Sequence, residues 1–564
     1  MNNSTILNNN RMKRQILLVF AIFSAAVCWA QKTRPTIELP QNDSAAVERI
    51  SAYLMSQVDR SSLPEWKKEW NKFNYTPDMY GESALYRKLG YMPAKTSKEL
   101  NNSRVGIGFE TLDRDTFDPL TTFDYLCDAG VKYARCQTGW WKCERTPGTY
   151  DFKWLDDVVD GLSEKNIETW FSLSFGHPEY CPCEFFEKQW EESRKNGTMV
   201  PGWGRGWVGE APYYHGDRAM EAWLKYVRAL AKHFKGRVDI FEIWNEPEYF
   251  WRKDYKIAGE ELYGDVQAAR DFAYFIKITA KELRKVIPDA KVTFNFANLS
   301  SVWLTEMAKE GIADVIDFFN YHVYQRAPED GVGAAVRQYR ALLTKKDGTP
   351  VDIWQGESGR ATDKSGLFAF PTQYNQAKYI ARRIAYDLSL GCEVSSQFTV
   401  ADFLCYYPDG SDQYYGVWNT RENKPKLGWY TLQSMCYLMD DTKVAPEYWF
   451  MFTTPQNHQT YTSLIPYMNV EIAQFSRNGI PLVAFWQKEN IDISAIPLNG
   501  MMEFVTDAPS LLQHPIIIDP VRGEVWDVKG ALGYYKRGIQ TLALWAYDYP
   551  LFLTDLSFFN EVLQ

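Results

Sequence analysis

From about residue 105 to about 440, short apolar runs alternate with longer amphipathic ones, and each apolar run ends in a cluster of polar or aromatic residues. The runs are Val105–Phe109, Tyr133–Cys136, Thr169–Leu173, Ile240–Trp244, Val292–Phe296, Phe318–Tyr321, Val351–Trp354 and Val394–Phe398. Between them, apolar residues recur at helical spacing at about Thr121–Ala129, Trp154–Lys165, Arg218–Phe234, Asp265–Val286, Trp303–Glu310, Gly333–Leu343, Gln373–Leu390 and Trp429–Met439. Eight strands, each followed by a helix, predict an α/β chain built on a (β/α)8 TIM barrel over residues 104–442. The largest insertion runs from about Glu179 to Tyr214, after the third strand, and contains Trp190, Trp203 and Trp207. Loops at the strand C-termini build the active site of such barrels, so this insertion is expected to wall the cleft.

After about residue 443 the texture changes to alternating runs such as Val470–Phe475, Pro481–Trp486, Pro515–Ile518 and Leu542–Trp545, punctuated by Asn478-Gly479, Asn499-Gly500 and Arg522-Gly523. This predicts a C-terminal β-sandwich accessory domain over 443–564. Residues 31–103 are mixed, with helical patterning at Ala45–Val58 and Pro64–Phe73 and no assignable role; Thr36–Leu39 is a candidate extra strand for the sandwich. Residues 1–30 have the form of a signal peptide: a basic stretch Arg11–Arg14, an apolar run Ile16–Val27, and Cys28-Trp29-Ala30 before Gln31. That apolar run is too short to span a bilayer, and no other stretch is long enough. Export to the periplasm, the cell surface or the medium follows as the expectation. A lipid anchor on Cys28 is disfavoured by the bulk of Val27.

Net charge is −9, and the leader contributes three cations and no acid, so the remainder is more negative still. That argues against nucleic acid and anionic membrane surfaces as partners. Aromatic residues make up 16% of the chain, with 21 Trp and 35 Tyr; most of these rings serve packing, but the excess agrees with stacking on sugar faces. Export permits disulfides, and Cys136, Cys143, Cys181 and Cys183 fall in neighbouring barrel segments. One or two bridges, a thiolate-held metal, or buried free thiols all fit that spacing. The oligomeric state is not legible.

The strongest chemical signal is Phe241-Glu242-Ile243-Trp244-Asn245-Glu246-Pro247-Glu248 at the end of the fourth strand. An apolar strand ending in Asn-Glu-Pro puts a carboxylate at the barrel mouth with an amide beside it. A second carboxylate ends the seventh strand, in Ile353-Trp354-Gln355-Gly356-Glu357-Ser358-Gly359. Strands four and seven lie across the barrel from one another, so Glu246 and Glu357 are placed to face over one cleft. Glycoside cleavage with retention needs that geometry: one carboxyl protonates the leaving oxygen while the other attacks the anomeric carbon.

This set resembles the clan A retaining glycoside hydrolases, and Trp244-Asn245-Glu246-Pro247 is most similar to the family 39 group and its relatives. The resemblance covers roughly residues 104–440. It implies Glu246 as general acid/base and Glu357 as nucleophile in double displacement at an equatorial, β-type glycosidic bond, with a carbohydrate as substrate and no cofactor or metal. It further implies Arg135 hydrogen-bonded to the nucleophile, Asn245 at the sugar 2-hydroxyl, His177 lining the donor subsite, and His322 and Tyr324 beside Glu357. Trp140 and Trp141 are expected to border the cleft, with a core position as the alternative for one of them. Phe398 stands where clan members often carry a Trp on strand eight, which bears on the sugar accepted. Arg360, next to the nucleophile segment, suits either a uronic acid carboxylate or an ordinary salt bridge.

Two rival readings are weighed against this one. A metal-dependent hydrolase needs several His and Asp ligands, yet the chain has six His and no His-x-His or His-Glu-x-x-His string. A catalytically inactive carbohydrate-binding protein on the same barrel is expected to lack one of the two carboxylates, and both are present.

Overall fold

The computed structural model describes residues 44–72, 79–251, 265–363, 371–445, 450–453, 469–492, 495–505, 512–535 and 539–563. The leader, its apolar run and Thr36–Leu39 lie outside them. Eight parallel strands close on themselves: Val105–Phe109, Tyr133–Gln137, Glu168–Leu173, Ile240–Ile243, Lys291–Thr293 continued by Asn295–Phe296, Phe318–His322, Asp352–Ser358 and Ser395–Gln397. The fifth is interrupted at Phe294, its first half pairing with strand four and its second with strand six. Strand eight pairs in parallel with strand one through Ser395↔Val105 and Gln397↔Ile107, which seals the barrel. Helices follow each strand, among them Lys153–Glu164, Asp217–Phe234, Val266–Arg284 and Gln373–Ser389.

Because successive strand residues point to opposite faces, the inward positions form layers. At the N-terminal end Trp170, Ile240, Phe318, Trp354 and Val394 pack together with Tyr133 as an apolar plug. Trp354 stacks on Phe318 at 4.0 Å and lies 5.2 Å from Trp170. Burying an indole of roughly 200 Å² contributes about 5 kcal/mol of transfer free energy. Two residues further along each strand the inward side chains turn polar: Arg135 follows Tyr133, Ser172 follows Trp170, Glu242 follows Ile240, and Asn320 follows Phe318. The plug thus carries a charged layer on its upper surface, just below the mouth.

Strand seven departs from simple alternation. Tyr321 pairs with Gln355 but His322 pairs with Glu357, so Gly356 is an extra residue, a β-bulge that re-aims the side chain after it. A Cβ there would stand 2.2 Å from Asn320 Oδ1, so any larger residue would displace the amide that holds Glu242. The bulge turns Glu357 toward the barrel axis. It also carries the strand on to Ser358, beyond the Val351–Trp354 run that hydrophobicity marks.

The C-terminal part forms two antiparallel sheets. One has seven strands and includes Val470–Arg477, Ile480–Gln487, Pro515–Asp519, Glu524–Asp527 and Leu551–Asp555; the other has four, with Leu498–Val505 and Ile539–Ala546 at its centre. They pack face to face, with Phe452 stacked on Phe485. One outer strand of the larger sheet is Arg87–Tyr91, which pairs with Glu524–Asp527. So the segment before the barrel, for which the sequence suggested no role, completes the sheet that follows it.

This sandwich covers helix Gln373–Ser389, whose residues are buried almost end to end. Lys378 meets Asp548 at 2.9 Å, and Arg382 pairs with Glu329 at 2.6 Å while donating to the carbonyls of Glu489 and Asp548. Among the described residues, no helix is long and apolar enough to cross a membrane.

Candidate active site

Glu246 and Glu357 meet at the barrel mouth, with side chains 14% and 10% exposed. One carboxylate oxygen from each, together with a ring nitrogen of His322, lies within 4.8 Å of the others. Glu246 sits in the left-handed region at φ 44°, and Trp244 likewise at φ 67°. Such backbone costs non-glycine residues of order 1 kcal/mol or more and persists only when the surroundings hold it. Here Asn295 holds it: its Oδ1 accepts from the Glu246 N–H at 2.8 Å, and its Nδ2 donates to the Trp244 carbonyl at 3.3 Å. Pro247 then opens the short helix Pro247–Phe250, a position where its missing N–H costs nothing.

The two carboxyls have unlike surroundings. Glu357 Oε2 accepts from Arg135 Nη1 at 2.9 Å, and its Oε1 accepts from the Tyr324 hydroxyl at 2.6 Å. Among the described residues, Glu246 has one side-chain hydrogen-bond partner at its carboxyl, His322 Nδ1 at 3.1 Å. Burial, then the charge of Glu357, then that of Glu248 push the Glu246 carboxyl well above the usual carboxylate range. Burial also raises Glu357, but Arg135 and Tyr324 pull it back. Of the pair, Glu246 therefore holds a proton and Glu357 is the anion. His322 is fully buried and held neutral, first by burial and then by the charge of Arg135. Burial and the adjacent Glu357 push the Tyr324 phenol far above its ordinary value, so it remains a donor.

Arg135 is the hub. Wholly buried, it donates to Glu357, to Glu110 Oε1 at 2.8 Å, to Glu242, and through Nη2 to Asn245 Oδ1 at 2.7 Å. Asn320 Nδ2 donates to Glu242 Oε2 at 2.7 Å and fixes that carboxylate from the other side. With its oxygen taken by Arg135, Asn245 keeps its amide N–H groups for other partners. Sequence reasoning placed Arg135, Asn245, His322 and Tyr324 here, and the structure brings them together around the two carboxyls. It missed Glu110, Glu242, Asn295 and Asn320. A Glu between Phe241 and Ile243 in an apolar strand was the one available signal for Glu242.

Two expected cleft residues lie elsewhere. Trp140 is fully buried, donates Nε1 to Glu144 Oε2 at 2.7 Å, and packs among Tyr180, Trp223 and Tyr226. It is core. His177 packs against Trp140, and both its nitrogens are spent on backbone: Nε2 on the Glu144 carbonyl at 2.6 Å and Nδ1 on the Glu179 N–H at 3.1 Å. No ring nitrogen is left for a sugar, so His177 anchors the start of the insertion. Phe398 is 6% exposed and packs edge-on to Tyr324, Tyr415 and Phe403, supporting the phenol that donates to Glu357. Arg360 is buried and reaches the Ile491 carbonyl on the sandwich side, which removes it from any contact with a uronic acid in the cleft.

The insertion after strand three forms helices Glu184–Asn196 and Gly202–Gly206. Gly202 N–H and Arg205 Nη2 both donate to the Cys405 carbonyl, and Arg205 Nη1 donates to the Asp115 carbonyl, tying the insertion to the loops after strands eight and one. Trp203 lies 5.6 Å from Phe250 and 6.1 Å from Tyr406. An open groove of about 860 Å³ runs between Glu184–Asn196 and Pro408–Gly410. Cys136, Cys143 and Cys181 are buried thiols with no bridge among them or to Cys183.

Glu246, His322 and Glu357 are near enough to share a cation. Both oxygens of Glu357 already accept from cationic or hydroxyl donors, however, and Arg135 supplies positive charge on the side an ion would face. The cluster is arranged for hydrogen bonding.

Known proteins resemble this chain in parts. Residues 115–262 match the family model described as Glyco_hydro_42: Beta-galactosidase. Beta-galactosidase BgaA of Clostridium cellulovorans is 38% identical over 68 residues, a stretch that spans 12% of this chain and 10% of that protein. Among solved structures, a family 39 glycoside hydrolase from Bacteroides cellulosilyticus WH2 superposes with TM-score 0.56 at 16% identity, covering 82% of this chain and 83% of that one. The family 30 subfamily 8 xylanase Xyn30A from Clostridium acetobutylicum gives 0.47 at 12% identity, covering 84% and 100%. The superposition on the family 39 enzyme shows a shared barrel fold. The matched segment, from the loop after strand one to just beyond Glu246, is similar to the family 42 beta-galactosidases.

Proposed function

We propose that this protein is a retaining glycoside hydrolase acting on an equatorial, β-type bond of an oligosaccharide or polysaccharide. The observation that carries the reading is the approach of a Glu246 oxygen to a Glu357 oxygen within 4.8 Å. Retaining enzymes hold their carboxyls about 5–5.5 Å apart, whereas inverting ones leave roughly 6.5–9.5 Å for a water. In the first step Glu246 gives its proton to the glycosidic oxygen, and a Glu357 oxygen bonds to the anomeric carbon as the C–O bond breaks. In the second, Glu246, now a carboxylate, takes a proton from water as that water displaces Glu357. Unlike surroundings support this division of labour: donors on Glu357 favour an anion, and burial beside that anion keeps the proton on Glu246.

The test is hydrolysis of aryl β-glycosides, with β-galactosides first because the matched family and relative carry that activity in their names, and with β-xylosides and β-glucosides beside them. Glu246→Ala is expected to lose about 10²–10⁴-fold on substrates with poor leaving groups and far less in the first step on activated ones. A uniform loss across leaving groups would remove Glu246 from the acid role. The pH profile is expected to fall on the acid side as Glu357 gains a proton and on the alkaline side as Glu246 loses its own. Dialysis against a chelator is expected to leave turnover unchanged; a loss restored by a divalent ion would instead assign the Glu246–His322–Glu357 cluster to a metal.

The inactive sugar-binding alternative fails if any β-glycoside is turned over and both carboxylate variants abolish that turnover. Export belongs to the same reading, since the basic and apolar leader suits a protein that meets its polymer outside the cytoplasm. An N-terminus at or near Gln31 in the mature protein would bear this out.

A further inference from the structure

We propose that Glu110 is a positioning residue that carries a proton while the site is active, so that the whole charge of Arg135 is left to Glu357 and Glu242. The inference rests on the reading of Glu357 as nucleophile, and it concerns a residue to which nothing above assigns a role. Glu110 follows strand one and is 2% exposed. Its carboxyl folds back over Gly108, where a Cβ would stand 2.0 Å from Glu110 Oε2. Only a glycine makes this niche, and the carboxyl fills it.

Hydrogen bookkeeping at Glu110 points to a proton. Oε1 accepts from Arg135 Nη1 at 2.8 Å, the same nitrogen that donates to Glu357 Oε2 at 2.9 Å. Nη1 carries two hydrogens and can give one to each carboxyl, but two anions held against one nitrogen would repel each other, whereas a neutral carbonyl oxygen accepts there without that penalty. On the other side Thr399 Oγ1 lies 2.7 Å from the Gly108 carbonyl and 3.2 Å from Glu110 Oε2. A hydroxyl has one proton. The Gly108 carbonyl can only accept and is the nearer, so that proton serves it, and the hydrogen in the longer contact comes from Glu110. The titratable groups facing Glu110 are Arg135 and Cys136 on strand two and Glu357 on strand seven. Burial, then Glu357, outweigh Arg135 and raise the Glu110 carboxyl to about 8.

A neutral Glu110 lets one buried guanidinium serve the nucleophile without a third negative charge beside it. An ionised Glu110 would add a second negative charge against Nη1 and raise the basicity of Glu357. Glu110→Gln imitates the neutral state at every pH, and two measurements on the full chain separate the possibilities. In infrared difference spectra near neutral pH, wild type minus E110Q is expected to show the C=O stretch of a protonated carboxyl. In the pH profile of kcat/KM, the acid limb of E110Q is expected within about half a pH unit of wild type, since a neutral group was replaced by a neutral one.

Absence of the infrared band, or an acid limb lowered by about a unit or more, as removal of a neighbouring anion requires, would overturn the proposal. If E110Q does not fold, Thr399→Val serves instead: it must shift the same band, and an unmoved band counts against the proposal. The infrared result needs no turnover, so it stands apart from any failure of the glycosidase reading.

Discussion

Glu357→Ala is expected to lower turnover of aryl β-glycosides by on the order of 10⁵-fold, the scale of losing a covalent nucleophile, without unfolding the protein. The side chain lies at the mouth, and its removal leaves Arg135 still paired with Glu110 and Glu242. Indeed, removing one buried carboxylate is expected to leave stability unchanged or raised, since burying a charge at an active site costs stability. Azide supplied to this variant enters the vacated space and is expected to restore turnover, giving the glycosyl azide of inverted configuration. Circular dichroism, thermal melting and product stereochemistry together check the result. A variant that stays active without added nucleophile would move the attacking group elsewhere.

Arg135→Met is the second large effect, and it acts on fold and chemistry together. The substitution keeps much of the volume but removes the guanidinium that Glu110, Glu242 and Glu357 share. Breaking a buried ion pair by removing one partner typically costs about 3–5 kcal/mol, because the remaining charge has no compensation. The cost has a pH signature. Without Arg135 the buried carboxyls have folded-state pKa values raised above those of the unfolded chain, so they bind protons in the folded protein that the unfolded chain releases. Their contribution is then fully present below the unfolded pKa of about 4.3 and is lost as pH rises through the folded values, so the variant is expected to gain stability relative to wild type as pH falls from 8 toward 5. Urea unfolding at the two pH values checks the sign. Turnover is expected to fall as well, with the acid limb of the profile displaced upward because Glu357 no longer has its guanidinium.

Much of this architecture was legible from period and punctuation. Seven of the eight apolar runs mark their strands to within a residue or two at each end, because a buried parallel strand reads as an uninterrupted apolar segment. Strand seven escaped at its C-terminal end: Gly356 reads as a breaker, yet it is the bulge that aims Glu357. Glu246, Glu357, Arg135 and Asn245 were visible because polar residues at the ends of apolar runs must face the mouth.

Glu110 was not visible. Its placement depends on the absent side chain of Gly108 and on a hydroxyl from Thr399, nearly three hundred residues on. Trp140 and His177 were misplaced because a strand end gives no sign of whether the next turn bends over the cleft or back into the helical shell. Gly139, at φ 55°, opens the short helix that sends Trp140 inward.

The strand Arg87–Tyr91 has a consequence for how the chain is assembled. It leaves the ribosome before the barrel does, but its partner Glu524–Asp527 is made only after the barrel. A growing chain can close its barrel while that strand waits with an open edge, and a sheet made after the barrel is finished by a piece made before it. Cutting the gene at either flank of the barrel therefore does not release an independent module: one cut strands an unpaired edge, and the other uncovers the charged helix Gln373–Ser389.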